Sequence, residues 1–480
     1  MSETATLSHY IDGQWVSGKN VFDSLNPSDT RDVVAYAPLD EGSAIGAAVS
    51  AAKAAFPSWA AASPEVRSDV LDRVGSTLLA RKEELGRLLS REEGKTLPEG
   101  IGEVARAGRI FKFFAGEALR RHGVTVDSTR PGVEAATYRE PVGVFGLITP
   151  WNFPIAIPAW KSAPALCFGN TVVMKPASLT PAIAAALAQI IHESGAPKGV
   201  FNLVMGGGAA GNALAEHPDV VGISFTGSQA VGARVAAAGI AHQARLQLEM
   251  GGKNPLVVLD DCDLERAVQC ALDGAFFATG QRCTASSRLI VTAGIHDRFV
   301  EALTARVSAL RVGDALAAET QIGPLASQAQ LDTTLSYLKI ATREGGVCVT
   351  GGEQMSLERP GYFVKPALIV DTRPDMRVNR EEVFGPLASV MRVRDYDEAL
   401  GVANEGEFGL SAGIVTTSLK YARHFARNVR AGMVMTNLPT AGVDYHVPFG
   451  GTRKSSYGAR EQGFAAVEFY TQVKTTYSWA

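Results

Sequence analysis

The sequence holds no cysteine pair at CxxC spacing: its five cysteines, Cys167, Cys262, Cys270, Cys283 and Cys348, are scattered and odd in number. That excludes a disulfide scaffold and fits reduced thiols in the cytoplasm. An excess of one charge is missing too. Against 46 Lys and Arg stand 49 Asp and Glu, a formal net charge of −3, which excludes nucleic acid or an anionic membrane as the main partner. The 8 histidines form no HExxH or comparable cluster, so no metal site is expected. The longest apolar runs are interrupted by Pro, Lys or Gly and fall short of a membrane span. The first residues, "MSETATLSHYIDGQW", lack the basic and apolar regions of a signal peptide.

What is present is ordinary globular material: 480 residues, 46% hydrophobic and 20% charged. That length suggests two or three domains and a core that needs no staple. Residues 43–60 and 64–94 read as helices. From 141 the pattern changes to short β-branched runs closed by Gly or Pro, at 143–150, 170–177, 199–206, 220–227 and 245–252. Helical segments at 180–195 and 228–240 lie between them. Strand–helix alternation implies a parallel sheet with helices on both faces, with ligands at the carboxyl ends of its strands. A second alternation starts at 254 and runs to about 435, with Cys283 near its beginning. The expected fold class is therefore α/β, with two doubly wound parallel-sheet domains. A hairpin at 123–140 and an alternating strand at 465–477 are left over. Each is unstable alone, so they are expected to pair with each other.

Three residues stand out as chemistry. Cys283 lies in "TGQRCTASS", where no aliphatic side chain but alanine stands within four residues. A lone cysteine is most often a small buried hydrophobe, but a buried structural thiol keeps larger apolar company. Arg282, and a helix beginning just after Cys283, would lower its pKa and favour the thiolate. Glu249 ends an apolar run closed by Gly251 and Gly252. It is either a solvent-facing strand end or a carboxylate of raised pKa able to act as a base. Asn152, in the stiff "TPWNFP", either completes a turn or aims its amide at an oxyanion. Lys175 ends a buried strand, where a lone cation needs a ribose or phosphate. Ser228 stands where a Gly turn opens a helix, a place to hold pyrophosphate. "GGGAAG" at 206–211, with Gly208, formally matches GxGxxG. No acidic residue follows at the required distance, so it is not read as the usual dinucleotide fingerprint.

In order and spacing, "TPWNFP" (149–154), "KPAS" (175–178), "FTGS" (225–228), "LEMGGKNP" (248–255), "GQRC" (280–283), "EEVFGP" (381–386) and "PFGG" (448–451) resemble the NAD(P)-dependent aldehyde dehydrogenase superfamily. The resemblance implies roles. Cys283 would be the nucleophile, Glu249 the general base, Asn152 an oxyanion donor and Lys161 part of a proton route. Lys175 would bind the adenosine ribose, Ser228 the pyrophosphate and Glu382 the nicotinamide ribose, with Phe384 beside the nicotinamide. Trp151, Ser178, Gly208, Thr226, Gly227, Met250 and Gly251 would complete the cofactor site. An aldehyde would be oxidised through a cysteine thiohemiacetal and thioester to the acid. The implied domains are 1–120 with 141–251 for the dinucleotide, 252–453 for catalysis, and 121–140 with 454–480 as a β bridging element of a homodimer or homotetramer.

Departures from the family pattern sharpen this. Many NAD-preferring relatives carry Glu where this chain has Ser178, so NADP is expected to be accepted or preferred. Trp160 and Phe277 stand where some succinic semialdehyde dehydrogenases hold the substrate carboxylate with arginines. "NFPIAIPAWK", "GQRCTASSR" and "RKSSYGAREQG" look instead like the 2-oxoglutarate semialdehyde (2,5-dioxopentanoate) dehydrogenases. The expected substrate pocket is Trp160, Phe277, Arg282 and Phe449, with Arg282 and Arg453 the candidates for a substrate carboxylate. Succinic semialdehyde and aromatic or aliphatic aldehydes remain alternatives. The segment around "SSYGAREQG" is one residue longer than in many relatives, which leaves Glu461 without an assigned role. A dinucleotide-independent thiol esterase is the rival class. A dead scaffold would have lost Cys283, Glu249 or Asn152. Acyl transfer to coenzyme A is typical of relatives that lack the glutamate.

Overall fold

The computed structural model describes residues 4–120 and 123–479. The boundary expected at 120/121 falls partly outside these residues.

Two large sheets organise the chain. In the first, strands Arg245–Glu249, Val220–Thr226, Val144–Ile148, Thr171–Lys175 and Phe201–Leu203 run parallel in that spatial order. All but the ends of these strands are buried, because helices cover both faces. Ala-rich Ser43–Ala61 packs on one face, with Val49, Ile148, Val173 and Ile223 in its core. Pro64–Ala80, Leu97–Ala118, Ala156–Cys167 and Pro181–Glu193 build the larger core on the other. The register pairs Thr226 with Glu249, Phe225 with Ile148, and Ile148 with Lys175. The carboxyl ends of four neighbouring strands therefore reach one level.

The second sheet has seven strands, and only its edge strand Val347–Thr350 is antiparallel to its neighbour. Its central strands, Arg288–Thr292 and Pro255–Val258, are wholly buried between two further cores. This is an α/β fold with two doubly wound parallel sheets. A separate three-stranded sheet pairs Thr471–Trp479 with Val133–Pro141 over nine residues, and Thr125–Asp127 with the same strand.

Some expectations need correction. The helix expected over 64–94 is two, Pro64–Ala80 and Lys82–Glu93, because Arg81 leaves helical geometry at φ −105°, ψ 16°. The terminal strand begins at Thr471, since 463–470 coils into short helical turns. "GGGAAG" opens a helix, Gly208–Glu216. Five short strands between Ala5 and Pro38 have no counterpart in the sequence reading. No helix among the described residues is long and apolar enough to cross a membrane.

Candidate active site

The carboxyl edge of the first sheet faces the loops that lead into the second. Cys283 sits in such a loop, just before strand Arg288–Thr292. The loop is pinned by Asn254, whose Nδ2 donates to the carbonyls of Cys283 (2.8 Å) and Ala285 (3.0 Å). Gly252 runs so close beneath that a Cβ there would collide with the Cys283 carbonyl and the Asn254 amide. Asn254 was not singled out in the sequence, although it lies within "GGKNP".

Cys283 is the meeting point of two cavities. One, of about 280 Å³, is walled by Lys95, Glu99, Glu103, Arg106, Phe153 and Arg282 among others. The other, of about 230 Å³, is walled by Trp151, Asn152, Thr226, Gly227, Ser228, Glu249, Met250, Gly251, Glu382 and Phe384. Among the described residues only Trp160, Cys283 and Phe449 line both, and the two rings meet at a centroid distance of 5.5 Å, tilted by 32°.

Asn152 is 4% exposed and donates Nδ2 to the Gln281 carbonyl at 3.0 Å. Its own carbonyl accepts from Lys95 Nζ at 2.7 Å. Lys95 is in turn held by Glu103 at 2.6 Å and lies over the Phe153 ring. Glu249 is 3% exposed, and its Oε2 accepts from Ser456 Oγ at 2.6 Å. Burial, and then the negative charge of Glu461, hold its pKa well above the ordinary carboxylate range. Glu461 is ion-paired with the fully buried Lys161, and Lys161 Nζ also donates to Ser224 Oγ at 2.8 Å. Residues 300 positions apart thus form one buried polar chain behind Glu249. That contact gives Glu461 the place that the sequence left open.

The Cys283 thiol is pushed up to about 12, first by burial and then by the charges of Glu382 and Glu249. This corrects the expectation of a thiol acidified by its surroundings. No helix follows Cys283, and the Arg282 guanidinium turns to Glu99 and the Asp273 carbonyl, each at 3.5 Å. Phe277 is also corrected. Ala278 and Thr279 take left-handed φ of 51° and 54°, which sends Phe277 against the second-sheet core and leaves Ala278 on the cavity. Arg453 donates to the carbonyls of Asn404 (2.9 Å) and Gly406 (2.7 Å), and lines neither cavity.

The second cavity has the character of a dinucleotide site. Lys175 ends a strand two places from that of Thr226 and is not on the wall of this cavity; its ammonium has no hydrogen-bond partner among the described residues, and burial alone lowers its pKa to about 8. The Thr226 hydroxyl is buried and unpaired. Ser228 caps helix Gln229–Ala241, and its own hydroxyl makes no cap bond. The unpaired ammonium of Lys175, the buried hydroxyl of Thr226 and the exposed hydroxyl of Ser228, all at the end of a parallel sheet, suit an anionic, hydroxyl-rich ligand. Glu382 accepts from Gly252 N at 2.8 Å, and burial raises it to about 7. A Cβ on Gly251 would collide with that carboxylate. Trp151 and Phe384 meet edge to face at 5.4 Å, and Gln330 fastens the Phe384 turn through the carbonyls of Val383 and Phe384, both at 2.9 Å. Ser178 Oγ is bound to the Gly206 carbonyl at 3.0 Å. Gly208 opens its helix with no atom within 4 Å of where a Cβ would stand. Among the described residues no group of three or more His, Cys, Asp or Glu could hold a metal.

Residues 15–476 match the aldehyde dehydrogenase family. An alpha-ketoglutaric semialdehyde dehydrogenase of Bacillus subtilis is 42% identical to the chain, with 99% of each covered. An alpha-ketoglutarate semialdehyde dehydrogenase of Haloferax volcanii is 43% identical, again with 99% of each covered. Among solved structures, a betaine aldehyde dehydrogenase of Staphylococcus aureus in complex with NAD+ superposes with a TM-score of 0.96 at 33% identity, over 98% of this chain and 95% of that one. Cys283 between two cavities, with Glu249 and Asn152 on the wall of one of them, is matched by likeness along nearly the whole sequence: the chain belongs to the aldehyde dehydrogenase family.

Proposed function

We propose that the protein oxidises 2-oxoglutarate semialdehyde to 2-oxoglutarate with NAD or NADP, Cys283 being the nucleophile. The observation that carries this reading is the placement of Cys283 between two cavities, one suited to a dinucleotide and one lined by apolar side chains, three cations and two glutamates already engaged by protein donors. The names of the Bacillus and Haloferax relatives favour this aldehyde.

The chain's own residues have these parts. Cys283, as the thiolate, adds to the aldehyde carbon, and the oxyanion that forms is met by the Asn152 amide. Phe449 and Trp160 exclude water from the reacting carbon. A nicotinamide dinucleotide, when bound, accepts the hydride that leaves this carbon. Cys283 then carries the acyl group as a thioester. Glu249 takes a proton from water, the water adds to the acyl carbon, and the carbon–sulfur bond breaks to release the acid. The Lys161–Glu461 pair leads that proton away. Lys175, Thr226, Ser228 and Glu382 hold the dinucleotide. Trp151, Ser178, Gly208, Gly227, Met250, Gly251 and Phe384 shape its site.

With Ser178 in place of an acid, the repulsion of a 2′-phosphate is relieved, so NADP is accepted or preferred. The three-stranded sheet, which exposes Val473, Tyr477 and Trp479, joins subunits of a cytoplasmic homodimer or homotetramer.

The test is a panel of aldehydes, with and without a carboxylate, assayed with NAD and with NADP by absorbance of the reduced cofactor. The highest kcat/KM belongs to 2-oxoglutarate semialdehyde. A preference for betaine aldehyde or pentanal would contradict the substrate. Ester cleavage without dinucleotide as the dominant activity would contradict the reaction.

A further inference from the structure

The cavity on the far side of Cys283 contains both signs of charge, and they are not equally engaged. Glu99, Glu103 and Arg106 all come from helix Leu97–Ala118, and their spacing of four and three places them on one face. Both acids are saturated. Glu103 Oε1 accepts from the backbone N–H of Ile155 and Ala156, each at 3.1 Å, and Oε2 accepts from Lys95. Glu99 Oε1 accepts from Ala278 N at 2.7 Å, and Oε2 from Thr96 N at 3.0 Å. Lys95 is spent on Glu103 and the Asn152 carbonyl. The donors left over belong to three other residues of the wall: Arg106 Nε, Arg282 Nε and Trp160 Nε1 are buried and without partners among the described residues.

Arg106 is the better placed of the two arginines to grip a ligand. Its Nη1 is fixed by the Val443 carbonyl, and its Nη2 reaches Gln462 Oε1 at 3.3 Å. The guanidinium is therefore held from one end, while its Nε edge is unmet. A planar fork with a free edge matches a carboxylate bidentately, which a lysine does not. Its plane also lies 5.8 Å from the Trp160 ring that walls Cys283. An uncharged aldehyde offers the Arg106 guanidinium, which has no carboxylate in hydrogen-bond contact, no counter-charge, whereas a carboxylate several bonds from the aldehyde carbon would supply one.

We propose that Arg106 anchors the distal carboxylate of the aldehyde substrate, with Arg282 as the second cation of the same subsite. This rests on the reading of the substrate as an aldehyde that carries a carboxylate. It assigns to a helix of the first sheet the work that the arginines of succinic semialdehyde dehydrogenases do from the positions of Trp160 and Phe277.

The experiment compares wild type, Arg106→Met and Arg106→Lys with 2-oxoglutarate semialdehyde and with pentanal, and measures inhibition of pentanal oxidation by glutarate and by valerate. Arg106→Met should lower kcat/KM for the carboxylated aldehyde by about 10- to 100-fold more than for pentanal, chiefly through KM. Arg106→Lys should recover part of that loss, and glutarate inhibition should weaken in Arg106→Met while valerate inhibition does not follow it. Equal losses on both aldehydes, or unaltered glutarate inhibition, would overturn the assignment. If Arg106→Met unfolds, glutarate against valerate on wild type and on Arg106→Lys decides: no preference for the diacid refutes the subsite. Wild type that prefers pentanal refutes the substrate reading itself. Wild type that prefers the carboxylated aldehyde, with a ratio unmoved in Arg106→Met, refutes only the role of Arg106.

Discussion

Asn152 and Gln281 are joined by a hydrogen bond of 3.0 Å from the Asn152 amide to the Gln281 carbonyl, two residues before Cys283. One amide proton fixes the side chain, and the other is left for the reacting centre. Asn152→Ala removes that donor. A fall in kcat of about 10²–10³ is expected, with a smaller change in KM. Steady-state kinetics with saturating dinucleotide measure it, and an effect confined to KM would contradict an oxyanion role.

The pH profile reports Glu249. Its pKa is raised by burial and by Glu461, so the deacylation rate rises with pH through a limb above the ordinary carboxylate range. Glu461→Gln removes the repelling charge and leaves Lys161, whose positive charge also lowers the Glu249 pKa. The limb should then move to lower pH. Single-turnover deacylation between pH 5 and about pH 9 tests the sign, and a limb that moves to higher pH contradicts the coupling.

Much of this site is legible in the sequence, for a physical reason. Asn152 and Glu249 each follow or close a strand-like run with a polar group, and Cys283 stands in a stretch without aliphatic side chains other than alanine; such exceptions are visible locally. The partners that make them a site are not. Lys161 and Glu461 meet across 300 positions, and nothing in either segment announces the other. Phe277 was misplaced because left-handed turns at Ala278 and Thr279 decide which neighbours face the cavity, whereas Arg282 does line it. The triplet Glu99, Glu103 and Arg106 did carry a signal, one charged face of a helix, but a charged face is usually solvated and only packing shows that this one is not. The strands between Ala5 and Pro38 pair mostly with one another, and His9–Ile11 joins the first sheet through Tyr10 and Leu203; strand propensity depends on such context, so local pattern underdetermines them.

Cofactor choice turns on Ser178 and Lys175. Ser178→Glu should shift kcat/KM toward NAD over NADP by about tenfold or more, through repulsion of the 2′-phosphate. Lys175 is lowered to about 8 by burial, so its charge, and with it affinity for the dinucleotide, falls as pH rises past that value. KM for NADP measured from pH 7 to about pH 9.5 should climb. A flat profile would count against Lys175 as a ligand.

Glu382 sets stability against binding. Its folded pKa of about 7 lies above the unfolded value. The native state therefore holds its proton more tightly, and the protein loses stability as pH rises through about 7. Glu382→Gln keeps an acceptor for Gly252 N and removes the buried charge. In the dinucleotide-free protein it should raise the unfolding free energy at pH 8 by up to about 3 kcal/mol, and the midpoint with it, and change little at pH 4.5 or below. The same variant should raise KM for the dinucleotide. Thermal unfolding at the two pH values checks the first effect. A gain that is larger in acid reverses the sign and contradicts the assignment.

The most direct measurement is made on Glu249→Gln, mixed with excess aldehyde and dinucleotide and quenched in acid. A burst of reduced cofactor approaching one equivalent per site is expected, followed by slow turnover. Mass spectrometry should find the acyl group on the peptide that carries Cys283. Absence of both the burst and the adduct, or full turnover by Cys283→Ala, would contradict covalent catalysis at this cysteine.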